Sequence, residues 1–198
     1  MYPLFESLCV KNGRVLHGEW HQLRFQKAYQ NFFGRKPAFN ILDPIDLPQT
    51  FCQGIVKLKI SYNETARQLE FQHYHMQQIQ SVRLVPTNDL DYTHKYTERE
   101  KLDALFALRE GCDDVLIIRY GWITDSYYAN VVFFDGKDWW TPELPLLEGT
   151  CRARLLANGI IKTIPLQVED LKNFQGIKLI NAMRDMSQPM ITIEALVY

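Results

Sequence analysis

A chain of 198 residues with 46% hydrophobic content is long enough to bury a sizeable core, as one large domain or two small lobes. A net charge of −1 argues against nucleic acid or an anionic membrane as the main partner, and no apolar run approaches the roughly 20 residues that span a bilayer. The opening Met1-Tyr2-Pro3-Leu4-Phe5-Glu6 lacks the segments of a secretion signal, and Cys9, Cys52, Cys112 and Cys151 are scattered without a CxxC pair, so free thiols in a reducing cytoplasm are expected rather than disulfides or a zinc site.

In chain order, a strand is expected over residues 4–10, followed by a turn at Gly13-Arg14. Residues 17–33 read as an amphipathic helix with Trp20, Leu23, Ala28 and Phe32 on one face and Gly34 as its stop. Asp43-Pro44 and Leu47-Pro48 break the chain before a short helix. Residues 55–62 and 68–76 alternate apolar and polar around Asn63-Glu64, which predicts a hairpin, and residues 82–86 read as a further strand. A helix is expected over 98–109, with Leu102, Leu105 and Phe106 inward and Gly111 ending it. Strands then follow around turns at Gly121-Trp122 and Asp135-Gly136, and residues 150–157 read as a helix closed by Asn158-Gly159. The texture changes near residue 86. The fold class expected is therefore α+β, with a smaller lobe over 1–86, a C-terminal lobe over 87–198, and mostly antiparallel sheets.

Lys95 stands apart from the other lysines. Aromatic residues flank it, and a desolvated lysine has the lowered pKa needed to attack an aldehyde. Lys57 and Lys59 alternate on the hairpin and are expected on its solvent face. After Lys95 come Asp125, on a strand, and the glycine-led run Gly149-Thr150-Cys151 at a helix start. An amine able to form a Schiff base, a carboxylate able to hold a ring nitrogen and an anion site are the equipment of a pyridoxal phosphate enzyme. Singly, each has a plainer reading: Asp125 as a turn residue, Arg24 as a charge on an amphipathic helix, Gly149-Thr150 as a loop and helix start. His73 and His75 share a strand face without a third ligand, so no metal is expected. Trp139-Trp140 reads as core strand.

The blocks, taken in order, resemble the class IV aminotransferase family of pyridoxal phosphate enzymes: D-amino acid and branched-chain aminotransferases and 4-amino-4-deoxychorismate lyase. Phe5-Glu6-Ser7-Leu8 with Gly13 resembles the family's opening "FET…G" strand and turn, and His21-Gln22-Leu23-Arg24 its "H-x-x-R" helix. Lys95-Tyr96-Thr97-Glu98-Arg99 falls at the lysine segment, and Ile123-Thr124-Asp125 with Asn130 on the "V-T-E…N" strand. Thr141-Pro142 and Leu147-Glu148-Gly149-Thr150-Cys151-Arg152 resemble "T-P…L-x-G-I-T-R". Three departures stand out: aspartate at 125 for glutamate, cysteine at 151 for threonine, and only four residues before Phe5 where relatives carry a longer segment that helps shape the small lobe.

The resemblance implies two lobes of the D-amino acid aminotransferase-like type and pyridoxal 5'-phosphate as cofactor. It implies Lys95 as the Schiff-base lysine and proton carrier at the substrate α-carbon, and Asp125 at the pyridine nitrogen. Arg24 with the amides of Gly149, Thr150 and Cys151 would grip the phosphate, and Leu147 would pack on the ring. Asn181 would contact phosphate or substrate and Arg184 a substrate carboxylate, within the late block Ile180-Asn181-Ala182-Met183-Arg184-Asp185. That block is more like the lyase's than the transaminases', so the expected reaction is release of pyruvate from aminodeoxychorismate to leave p-aminobenzoate. The rivals are a class IV transaminase for a D- or branched-chain amino acid and a non-catalytic binding protein on the same fold. Relatives are homodimers, so a homodimer is implied, with a small amino acid-type molecule as substrate and neither nucleic acid nor membrane as partner.

Overall fold

The computed structural model describes residues 1–198, and in it the chain divides into two units with interleaved ranges: residues 1–76 with 94–98, and residues 77–93 with 99–198. In the first unit, strand β1 (Leu4–Lys11) ends in a tight turn whose Asn12 and Gly13 have φ of 49° and 79°. Two positive φ angles in succession make the mirror-image turn that suits the twist of a hairpin. Strand β2 (Arg14–Val15) and helix α1 (Gly18–Phe33) follow. The helix stops at Gly34, whose φ of 72° is left-handed and whose N–H donates to the Gln30 carbonyl. Strands β3 (Ile55–Tyr62) and β4 (Arg67–His73) complete an antiparallel sheet in the order β2-β1-β3-β4.

Period-two alternation sends Leu4, Leu8 and Val10 of β1 into one core with Phe25, Ala28 and Tyr29 of α1. Of the helix face expected from the sequence, Ala28 is buried and Trp20 half-buried, but Leu23 and Phe32 are not. His21, Phe25, Ala28 and Tyr29 face inward, whereas Leu23 and Phe32 are 58% and 40% exposed. The cause is a charge. Glu6 shares the inward parity of Leu4 and Leu8, and α1 turns His21 and Arg24 toward it. Phe25 and Tyr29 lie on that same side of the helix and are carried into the core.

The second unit opens with strand β5 (Val82–Pro86) and helix α2 (Glu100–Ala107), shorter than the helix expected over 98–109. Strands β6 (Asp114–Arg119), β7 (Trp122–Ser126), β8 (Asn130–Phe134) and β9 (Trp139–Pro142) then form a meander. Helix α3 (Thr150–Ala157) leads to β10 (Lys162–Ile164), β11 (Gly176–Ile180), β12 (Ile191–Thr192) and β13 (Leu196–Val197). The sheet runs β10-β9-β8-β7-β6-β5-β13, with β11 branching from β8 to pair with β12. Its pairings are mostly antiparallel; β5 with β6, β5 with β13, and β9 with β10 are parallel. Leu116, Ile118, Val131, Phe133, Ile177 and Leu179 lie in its main core, while Cys151 and Leu155 of α3 pack with Val132 and Ile180 in a second one. No helix is long and apolar enough to cross a membrane.

The lobe boundary expected near residue 86 falls instead at the end of β5, inside the second unit; the chain passes between units after Met76. It then returns to the first unit for residues 94–98. Main-chain pairing with β1 causes the return: Phe5 N–H donates to the Lys95 carbonyl at 3.0 Å, Thr97 N–H donates to the Pro3 carbonyl at 2.8 Å, and Leu4 bridges Tyr96. Lys95 therefore belongs with the unit that carries Arg24, and not with the C-terminal lobe where it was expected.

Candidate active site

The first unit holds a buried charged group. Glu6 is 1% exposed and accepts from His21 Nδ1 at 2.6 Å, from Arg24 Nε at 2.8 Å and from Arg24 Nη2 at 2.5 Å. Burial on its own would raise the Glu6 carboxyl, but the Arg24 guanidinium and the His21 bond outweigh it and bring the carboxyl down to about 2. Burial pushes His21 the other way from its Glu6 bond and lowers it, so the imidazole is neutral and its N–H serves the carboxylate. Arg24 thus has a fixed orientation, two of its donors being spoken for by a bidentate carboxylate.

Lys95 lies beside the Phe5 ring, its Nζ 4.8 Å from the centroid, with Lys59 Nζ 5.7 Å from the same ring. Lys95 is half-buried, and its charge is among those that lower His21. Lys59 pairs with Glu70 at 3.0 Å.

In the second unit Asp125 sits on β7, 5% exposed. Its Oδ1 accepts from Asn130 Nδ2 at 2.7 Å and its Oδ2 from the Leu147 N–H at 2.9 Å. Burial raises its carboxyl to about 6, against the pull of the Leu147 N–H, Asn130 and the Arg152 guanidinium. Arg152 is itself 7% exposed and donates to the Pro142 carbonyl at 2.8 Å and to Thr141 Oγ1 at 3.3 Å. Gly149 is the N-cap of α3, and no side chain caps that end. The first-turn amides of Thr150 and Cys151, both buried, therefore form an anion-attracting terminus.

Asn181 spends its side chain on its own turn: its Oδ1 accepts from the N–H groups of Met183 and Arg184 at 2.8 and 2.9 Å, and its Nδ2 donates to the Tyr128 carbonyl at 3.2 Å. Arg184 Nη1 donates to the Gln77 carbonyl at 2.7 Å, while its Nε is buried without a partner. Leu147 is half-buried, its main chain engaged by Asp125 and Asn130. Of the expected residues, Arg24 and Lys95 lie in the first unit; Asp125, Leu147, Gly149, Thr150, Cys151, Asn181 and Arg184 lie in the second.

Sequence reasoning gave no role to Glu6, His21 or Arg152. The parity of Glu6 with Leu4 and Leu8, and the three-residue spacing of His21 and Arg24 on one helix face, are the signals that point to the first two. Nothing local marks Arg152 as buried.

The donor set fits pyridoxal phosphate. A buried carboxylate with lone pairs to spare suits a protonated ring nitrogen, and an uncapped helix start suits a phosphate.

A family model, amino-transferase class IV, matches residues 3–188. An uncharacterized protein of Haemophilus influenzae is 37% identical over 185 residues, which is 92% of this chain and 98% of its own length. A crystal structure from Haemophilus somnus 129PT, described as that of a "putative 4-amino-4-deoxychorismate lyase", superposes with a TM-score of 0.84 at 31% identity, covering 94% of this chain and 98% of that one. A "putative aminodeoxychorismate lyase" of Schizosaccharomyces pombe is 36% identical over 87 residues, 41% of this chain and 38% of its own.

Proposed function

The chain belongs to the class IV aminotransferase family of pyridoxal phosphate-dependent enzymes, and from that premise we propose that it is a 4-amino-4-deoxychorismate lyase, releasing pyruvate and leaving p-aminobenzoate. When bound, pyridoxal phosphate supplies an electron sink for bond breaking at the substrate α-carbon. Lys95 is the amine that holds the cofactor's aldehyde carbon and moves the proton at the α-carbon. Asp125 keeps the ring nitrogen protonated. Its folded pKa of about 6 lets it serve as a carboxylate at neutral pH, and a cation beside it favours that form further. Arg24 and the amides of Gly149, Thr150 and Cys151 hold the phosphate, with Asn181 beside them. Leu147 packs on the ring, and Arg184 meets a substrate carboxylate. A homodimer in the cytoplasm is part of the same proposal.

The observation that carries the lyase reading is the likeness to the Haemophilus somnus protein at 31% identity over 94% of the chain. The test takes purified protein with added pyridoxal phosphate, alongside Lys95→Ala. A near-visible band that Lys95→Ala loses, with pyruvate and p-aminobenzoate formed in equal amounts from aminodeoxychorismate, is the expected result. Lys95→Ala should cost a thousandfold in rate, on the order of what a positioned acid–base group supplies. Amino transfer to a 2-oxo acid without pyruvate release would make it a transaminase. No band in the wild type would leave a binding protein.

A further inference from the structure

We infer that Asn130 is the positioning residue that fixes the spacing between the Asp125 carboxylate and the start of helix α3. The inference rests on the reading of those two features as the ring-nitrogen and phosphate ends of one cofactor site.

Asn130 opens β8 directly opposite Asp125 in the strand register. Its Nδ2 donates to Asp125 Oδ1 at 2.7 Å and to the Leu147 carbonyl at 2.9 Å. The Leu147 N–H in turn donates to Asp125 Oδ2 at 2.9 Å. These three bonds close a circuit among a strand carboxylate, a neighbouring strand amide and the loop that leads into α3. The other end of the same amide presses on the helix start, where a Cβ at Gly149 would lie 1.9 Å from Asn130 Oδ1. Gly149 has φ −68° and ψ 142°, a conformation open to any residue. The glycine is therefore required by Asn130 and not by the backbone.

One planar side chain thus touches the carboxylate, the loop carbonyl and the N-cap glycine. Without it, the loop is tied to Asp125 by main-chain N–H groups alone, that of Leu147 first and that of Leu146 after it. A misplacement of about 1 Å in such a constellation is enough to cost catalysis about a hundredfold. An aspartate, one methylene shorter than glutamate, leaves less slack to absorb it. Arg152, from α3, is the charged group that acts on Asp125.

The test is run on the cofactor-free protein labelled with carbon-13 at aspartate carboxyls, following the titration of Asp125 by NMR, with pyridoxal phosphate uptake measured in parallel by absorbance. Asn130→Ala should raise the Asp125 midpoint by about one to two pH units and weaken uptake about tenfold or more, as expected for losing a hydrogen bond to a charged group. Gly149→Ala, which forces the amide aside, should raise the midpoint in the wild type but add nothing in the Asn130→Ala background. If Asn130→Ala does not fold, Asn130→Ser and Gly149→Ala carry the same measurements. An unshifted midpoint, or a Gly149→Ala effect that is the same with and without Asn130, overturns the inference. A shifted midpoint in a protein whose wild type takes up no pyridoxal phosphate overturns the cofactor reading and leaves Asn130's place in the fold standing.

Discussion

Glu6→Gln keeps the shape of the side chain and removes its charge, which tests whether the group made with His21 and Arg24 seats α1 on its sheet. The folded carboxyl lies at about 2 against an ordinary 4.5, despite a burial that works the other way. That difference of about 2.5 pH units corresponds to about 3 kcal/mol of stabilisation. Because the folded pKa is depressed, the stabilisation is fully present above 4.5 and is lost as pH falls through about 2. Glutamine has none of it, and it leaves the Arg24 guanidinium, 13% exposed, without its carboxylate. Urea unfolding followed by far-UV circular dichroism and by tryptophan fluorescence, repeated across pH, measures the gap between the two proteins. The expected gap is about 3 kcal/mol near neutral pH, shrinking between 4.5 and about 2. A gap under about 1 kcal/mol near neutral pH, or one that does not change with pH, refutes the argument, because packing without charge would then account for it.

Asp114, 5% exposed, is raised by burial from 3.8 to about 6, so the unfolded chain ionises first and stability falls across that window by up to about 3 kcal/mol. Asp114→Asn, which still accepts the Val115 N–H, should remove this share of the fall, leaving the share that the equally raised Asp125 contributes, and be the more stable protein near neutral pH; a less stable variant by urea unfolding would contradict this. Phe25 is fully buried, with ring centroids of Tyr62 and Tyr29 at 4.8 and 5.6 Å. Phe25→Ala should cost about 3–5 kcal/mol in the same assay, and a loss under about 1 kcal/mol would mean that the core closes without that ring.

Local signals carried much of this fold into view. The β3–β4 hairpin, the Gly34 stop and the helix over 150–157 all follow from alternation and from glycine placement, which are properties of neighbouring residues. Contacts distant in sequence did not. The buried face of α1 depends on Glu6, and a hydrophobic pattern alone turns that helix toward Leu23 and Phe32. The unit to which Lys95 belongs depends on its pairing with β1, some ninety residues earlier. The parallel neighbours of β5 come from opposite ends of the second unit. At the candidate site, the residue types at Lys95, Asp125 and Gly149 were legible because their chemistry is distinctive. The circuit through Asn130 and Leu147 was not, since half of it is main chain.

The chain passes between its two units three times, after residues 76, 93 and 98. No single cut separates them. A fragment ending at Met76 would lack the segment that lies along Leu4 and the lysine on it. During synthesis the first unit stays incomplete until Glu98 has left the ribosome, by which time β5 of the second has already been made. Proteins assembled like beads on a linker can exchange one module for another by recombination at the joint. Here there is no such joint, and either unit is inherited only with the other.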